Sequence, residues 1–508
     1  MVESTTISTI IAQNYKKSIT ASRQAKNIKF MLKFKYMSGR KLIYQIYPTA
    51  IGTLSDIADR IPMIAKLQPD YIWLSPIFLS PWVDGGYDVA DYCQIDPRFG
   101  NMNDFRHLVA VCKKYNIGIL NDLVMNHTSS EHIWFKKSER HDPWYKDYYV
   151  WMDHPLNWDS FFGGPAFDYD QVRGKYYLHL YDKRQPDLNF ENPRVIREFR
   201  EIIKFWTDRG VAGFRVDSAN VLAEDALRSG LLPRLSGFFN YYQTKETVDI
   251  LEKLLGSTKM FTIAEPVGGD FMSHARFREL TRKAFDAAFN IGTLDVADTF
   301  LSIKDKPREV NYRRWFKKLA KWTREPKFSL ALESHDTPRS TSRFRADPKV
   351  LAMLQFSLPG NYPCIYQGQE IGTKNPQLSN DINDYPGVQS RMIYRRQRKE
   401  GKTKRQAMKI VKQMSRDNAR QPIDWAEYIM QDHNPQSTLN FYRYMIHLWR
   451  EDPVLIHGNL KVKKTSRKGI FEFYRVYKKQ KYFVHLDMTN RTISYIRNQN
   501  GEIIASSR

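Results

Sequence analysis

The sequence predicts an α/β protein: a (β/α)8 TIM barrel with an inserted subdomain after its third strand and a C-terminal antiparallel β-domain. Three observations lead there. Short apolar runs alternate with amphipathic stretches along most of the chain, the pattern of parallel strands joined by covering helices, and there are enough of them to close a barrel. The connection over residues 127–189 is too long for a simple loop and is rich in Trp, Tyr, Phe, Gly, Pro and Asp. The tail, with "GIFEFYRVYKKQKYFVHLDM", instead alternates apolar and polar residues with period two, as half-buried strands do.

The predicted barrel strands are "LIYQIYP" (42–48), "DYIWLSP" (70–76), "IGILNDLVMN" (117–126), "VAGFRVD" (211–217), "MFTIAE" (260–265), "FDAAFN" (285–290), "FSLALES" (328–334) and "PCIYQG" (363–368). Helical periodicity fills the gaps, as in "MNDFRHLVAVCKKYN" (102–116) and "PRVIREFREIIKFWTDRG" (193–210). Residues 373–437 follow the last strand and include a Lys/Arg-rich helical stretch, after which "TLNFYRYMIHLWRED" (438–452) completes the barrel. The domain reading is therefore 1–36 as a polar-to-basic, poorly ordered extension, 37–126 and 190–452 as the two parts of the barrel, 127–189 as the insertion, and 453–508 as the β-domain.

Composition narrows the class. A chain of 508 residues with 42% hydrophobic and 14% aromatic content is globular and too long for one ordinary core. Net charge is +24, from 79 Lys and Arg against 55 Asp and Glu. These cations are spread widely, with modest clusters at 15–41, 391–412 and 459–480, and no zinc spacing, RNP-like motif or Arg-rich tail accompanies them. A basic solvated surface is expected, with no nucleic-acid partner. The cysteines Cys93, Cys112 and Cys364 form no CxxC, which points to a reducing compartment and a cytoplasmic location. No apolar run is long enough to span a bilayer, and "MVESTTISTIIAQ" lacks the basic and apolar regions of a signal peptide, so no membrane association is expected.

The chemistry is expected at the strand ends. In this kind of barrel functional groups collect at the C-terminal rim. Asp217 ends the fourth strand, Glu265 the fifth, Asp336 follows the seventh in "ESHDTPR", and Asn126 and His127 end the third. Three converging carboxylates suit glycosidic bond cleavage: one attacks the anomeric carbon, one protonates the leaving oxygen, and negative charge steadies the oxocarbenium-like transition state. Arg215 lies two residues before Asp217, hence on the same face of the strand, where its guanidinium holds that carboxylate ionised.

"QIYP", "GYDVADY", "DPRFG", "DLVMNHTSSEHIWF", "QPDLNFENP", "GFRVD", "IAEP", "SHDTPR", "IYQGQEIG" and "SRDNARQPIDW" follow one another along the chain. On these motifs the sequence resembles the α-amylase superfamily of glycoside hydrolases, and within it the oligo-1,6-glucosidase, dextran glucosidase and trehalose-6-phosphate hydrolase group. The resemblance implies Asp217 as nucleophile, Glu265 as general acid/base and Asp336 as transition-state stabiliser, with His335, His127 and Arg215 around the nonreducing sugar. It implies Asp88 and Arg416 as the pair closing the pocket behind that sugar, with Arg420 as the alternative arginine. The aromatics Trp158, Phe161 and Phe162 of "NWDSFFGG" suit either packing inside the insertion or contact with the pocket, and Phe162 is taken as the substrate contact. The implied activity is a retaining, exo-acting α-glucosidase on short α-gluco-oligosaccharides, α-1,6 linkages favoured. Trehalose-6-phosphate hydrolysis and sucrose isomerisation or glucosyl transfer are the alternatives.

Two departures from the family stand out. Many relatives carry an acidic calcium-binding loop after the first strand; here "YPTAIGTLSDIADR" offers only Asp56 and Asp59, so no metal and no cofactor are expected. Ser218 follows the predicted nucleophile, where the group carries valine with α-1,6 preference and smaller residues with other linkages, which leaves linkage open. Oligomeric state is not legible.

Overall fold

The protein is described by a computed structural model, which covers residues 39–223, 242–267, 272–289, 311–360, 362–465 and 467–508. The predicted N-terminal extension lies outside these residues.

Among the described residues thirteen strands precede the C-terminal sheet: β1 (Ile43–Ile46), β2 (Tyr71–Leu74), β3 (Phe78–Leu79), β4 (Asp91–Ile95), β5 (Gly118–Val124), β6 (Trp151–Met152), β7 (Phe167–Asp170), β8 (Lys175–Leu178), β9 (Gly213–Asp217), β10 (Phe261–Ala264), β11 (Ala287–Phe289), β12 (Phe328–Ser329) and β13 (Cys364–Tyr366). Eight of them form one parallel sheet in the order β12-β11-β10-β9-β5-β2-β1-β13. A parallel bridge between Ala331 and Cys364 joins its two edges, so the sheet closes on itself. The eight predicted barrel strands are all present, each shorter than its apolar run. The seventh is shortened most: after Ser329 only Ala331 keeps a bridge, and the chain then turns off toward His335 and Asp336.

β5 and β9 are buried along nearly their whole length, as strands covered on both faces must be. Helices seal the outside. Leu54–Ile64 and Met102–Lys114 each begin with a capping box, and the second buries Phe105, Leu108 and Cys112. Pro193–Thr207 starts on an Asn192 cap and turns Val195, Phe199, Ile202, Ile203 and Trp206 inward. Inside the barrel, Ile43, Trp73, Leu120, Ile263, Ala287, Phe289 and Cys364 make a separate apolar cluster that plugs it below the rim.

The connection after β5 carries β6, β7 and β8 as a small antiparallel sheet in the order β6-β8-β7. A bridge from His127 to Asp187, and the Leu188 N–H donating to the Asn126 carbonyl at 2.9 Å, tie its base to the end of β5. Beyond the helix Thr438–Glu451, a five-stranded antiparallel meander runs through β14 (Asn459–Lys463), β15 (Ile470–Tyr477), β16 (Gln480–Asp487), β17 (Tyr495–Arg497) and β18 (Ile503–Ser506). Among the described residues no helix is long and apolar enough to cross a membrane. Cys93, Cys112 and Cys364 are all free thiols.

Candidate active site

The register between β5 and β9 sets the heart of the site. It places Asp122 beside Arg215 and Val124 beside Asp217. Arg215 is fully buried. Its Nη1 donates to Asp122 Oδ1 at 2.6 Å and to Asp217 Oδ1 at 2.7 Å, and its Nη2 pairs with Glu265, just past β10. One guanidinium thus gathers three carboxylates from three neighbouring strands. It lies 4.9 Å from the centre of the Trp73 ring, whose face favours a cation. Burial alone would strip the charge from Arg215, but Asp122 and Asp217 outweigh it and push its pKa up.

Asp122 was not singled out from the sequence. It accepts from Arg215, from Trp73 Nε1 at 3.0 Å and from the Tyr87 hydroxyl at 2.9 Å. Burial pushes its pKa up to about 7, with Arg215 pulling it back down. The signal was present: an acid inside the apolar run "ILNDLVMN" is costly unless partnered, and the only question was by what.

Asp336 sits where the chain leaves the seventh strand. Burial would raise its pKa, but His335, Arg416 and Arg420 together hold it well below the usual carboxylate range. Arg416 Nη1 lies 3.2 Å and Arg420 Nη2 2.9 Å from its Oδ1. The two arginines that were alternatives in the sequence therefore both reach the same carboxylate. His335 is fully buried, its ring stacked between Tyr87 at 5.2 Å and Tyr47 at 5.7 Å. The Gln45 amide nitrogen, a donor only, lies 2.7 Å from Nδ1, so the ring proton sits on Nε2, 3.1 Å from Asp336 Oδ2. Burial also lowers the pKa of His127, which the Gln185 amide meets at 3.0 Å.

One expected pairing is corrected. Asp88 does not face Arg416. It is fully buried and accepts the backbone N–H groups of Val83 at 2.8 Å and Asp84 at 2.9 Å, closing the turn between them. The carboxylate that meets Arg416 is Asp84, four residues earlier. Gly85 and Gly86, with φ of 64° and 100°, lie between the two acids, whose carboxylates meet different partners, Asp84 the Arg416 guanidinium and Asp88 the backbone of its own turn. A side chain at Gly85 would also collide with Arg420 and the Tyr47 hydroxyl.

Phe162 comes from the insertion and lies 5.7 Å from the Arg416 guanidinium. Trp158 and Phe161 instead help pack the insertion's own apolar cluster. Among the described residues no group of three or more His, Cys, Asp and Glu side chains is arranged to hold a metal ion. Asp56, one of the two acids in the segment after β1, lies in the first turn of the helix Leu54–Ile64 and is engaged in a capping box with Thr53.

A closed parallel barrel whose rim carries three carboxylates on one buried arginine defines a class of carbohydrate-cleaving enzyme. The α-amylase catalytic-domain family model matches residues 15–455, and the chain belongs to the α-amylase family of glycoside hydrolases. It is 30% identical to an oligo-1,6-glucosidase of Parageobacillus thermoglucosidasius, over 89% of this chain and 90% of that protein. It is 32% identical to the trehalose-6-phosphate hydrolase of Escherichia coli K12, over 76% of this chain and 74% of that one. The crystal structure of an isomaltulose synthase from Klebsiella sp. LX3 superposes with a TM-score of 0.81 at 27% identity, covering 89% of this chain and 91% of that one.

Proposed function

We propose that the protein is a retaining, exo-acting α-glucosidase that releases glucose from the nonreducing end of short α-gluco-oligosaccharides, with α-1,6 linkages favoured, in the cytoplasm. The observation that carries this reading is the shared guanidinium: Asp217 and Glu265 bind adjacent nitrogens of Arg215. Two carboxylates so held suit the spacing of about 5–5.5 Å used by retaining glycosidases better than the wider gap that admits a water in inverting ones.

In this mechanism Asp217 attacks the anomeric carbon while Glu265 gives its proton to the leaving oxygen. Water then opens the glucosyl ester with Glu265 as base. Asp336, kept ionised by its two arginines, stabilises the positive charge that develops on the ring. His335 and His127 present N–H or ring nitrogen to sugar hydroxyls. Asp84 and Arg416, ion-paired across the pocket, take hydroxyls of the terminal glucose and block a further sugar behind it, which supports exo-action.

A second reading, hydrolysis of a phosphorylated α-glucoside, is favoured by one feature. The helix Val388–Lys399 brings Met392 against Gly163, beside Phe162, and exposes Arg391 and Arg395 on either side of it. These exposed cations share a helix with Met392, which meets the loop that carries Phe162. Purified protein tested on isomaltose, panose, maltose, sucrose, trehalose and trehalose-6-phosphate separates these readings. Fastest turnover of isomaltose or panose supports the first, and activity confined to trehalose-6-phosphate replaces it with the second. Isomaltulose or trehalulose formed from sucrose would make the enzyme an isomerase instead.

A further inference from the structure

We infer that Tyr181 and Ser218 form a hydrogen-bond relay onto Asp217 Oδ2 that speeds the second half of the reaction, release of the glucosyl group from the enzyme. The inference rests on Asp217 being the nucleophile.

Ser218 has φ of 48°, a left-handed conformation uncommon for a residue with a side chain. In it the hydroxyl lies 2.8 Å from Oδ2 of the preceding aspartate. The Tyr181 hydroxyl lies 2.5 Å from the same Ser218 oxygen. A carboxylate can only accept, so Ser218 donates to Asp217, which leaves Tyr181 as the donor to Ser218. Tyr181 keeps its proton: burial and the neighbouring Asp217 charge drive its pKa well above the ordinary phenol value. It reaches Ser218 from the insertion, with its ring against His127 at 5.0 Å, Phe161 at 5.1 Å and Phe162 at 5.7 Å.

The two oxygens of Asp217 are therefore held differently. Oδ1 takes a charge-assisted bond from Arg215 at 2.7 Å, and Oδ2 takes the neutral hydroxyl of Ser218. The guanidinium draws more electron density from its partner than a hydroxyl does, so Oδ1 remains the carbonyl oxygen and Oδ2 is the attacking atom. In the first step a lone pair of Oδ2 forms the bond to the anomeric carbon, the glycosidic C–O bond breaks, and the departing oxygen takes the Glu265 proton. In the second step a water oxygen bonds to the anomeric carbon, the C–Oδ2 bond breaks with its electron pair returning to Oδ2, and a water proton goes to Glu265. An ester oxygen is a weak acceptor and a carboxylate oxygen a strong one. The relay thus grips harder as Oδ2 leaves the sugar, which lowers the second barrier, and it gives the first step no such help.

The test is pre-steady-state hydrolysis of 4-nitrophenyl α-glucoside, an activated substrate that makes glucosyl-enzyme breakdown limiting. Ser218→Gly removes the hydroxyl and suits the left-handed backbone, so folding is preserved where Ser218→Ala would keep the strain of a side chain at positive φ; Tyr181→Phe shortens the relay by one member. We expect a nitrophenol burst at wild-type rate or faster, followed by turnover roughly 10- to 100-fold slower in Ser218→Gly, with a smaller fall in Tyr181→Phe. Mass spectrometry should show the glucosyl adduct accumulating on Asp217 in that same order. Unchanged breakdown rates, or an equal fall in burst and steady phases, would overturn the relay. A burst with its adduct mapped to another residue would instead remove Asp217 as nucleophile, and the relay with it.

Discussion

Arg416 and Asp84 form an ion pair between segments 332 residues apart in sequence. The same guanidinium reaches Asp336, so Asp84 and the carboxylate proposed to stabilise the transition state share one cation. Asp84→Ala should therefore lower kcat/KM on isomaltose by about 100-fold or more, through both lost sugar contacts and an unpaired buried arginine. Asp88→Ala should act differently. It unties two backbone N–H groups of the turn and should reduce stability by about 1–3 kcal/mol. Equal kinetic losses with equal melting temperatures in the two variants would remove the distinction.

Asp217→Asn should abolish hydrolysis by several orders of magnitude in kcat, since the near-isosteric amide cannot form the glucosyl ester. Its circular dichroism and melting should stay close to wild type. Wild-type-like turnover in the purified variant would exclude the nucleophile role.

Glu265→Gln should lose most activity on isomaltose yet keep the first step on 4-nitrophenyl α-glucoside, whose leaving group departs without a proton. The first sugar released by the wild-type protein should be α-glucose, read by NMR before mutarotation. A similar loss on both substrates would argue against the acid role, and β-glucose as first product would exclude the covalent route.

His132 gives a pH prediction away from the chemistry. Its Nδ1 accepts the Trp134 N–H at 3.1 Å, capping the helix Ile133–Glu139, and burial lowers its pKa from 6.5 to about 3. Below 6.5 the unfolded chain binds a proton that the native one does not, so this residue's contribution falls as pH drops. The loss is about 1.4 kcal/mol per pH unit. His132→Asn keeps a cap acceptor and cannot titrate. The gap in unfolding free energy between wild type and variant should shift by about 2 kcal/mol in the variant's favour between pH 7 and pH 5 in urea titrations. Parallel pH curves would show that His132 is not buried neutral.

EDTA should leave both melting temperature and activity unchanged. The segment after β1 that would have to supply acidic ligands has spent Asp56 on capping its helix, with Thr53 N–H and hydroxyl both 2.7 Å from Oδ2. A calcium ion needs six to eight oxygens. A fall in melting temperature on chelation, restored by calcium, would reveal a site elsewhere.

Much of this protein is determined by local rules that act within a few residues. Eight apolar runs set the strands, and their period-two alternation puts Arg215 and Asp217 on one face whatever the rest of the chain does. Strand ends then carry Asp217, Glu265 and His127 to one rim as soon as the barrel closes, which the parallel sheet and the Ala331 to Cys364 bridge accomplish. The tertiary structure alone decided what those side chains meet. Asp84 and Asp88 are both acids and four residues apart, with two glycines at positive φ between them, yet one meets Arg416 and the other the backbone of its own turn. Asp122 became a partner of Arg215 through strand register, and Tyr181 reached Ser218 through the packing of an insertion onto the rim. Such pairings depend on the relative placement of segments far apart in sequence, fixed by the packing of the whole barrel, and no periodicity within a single segment encodes that placement.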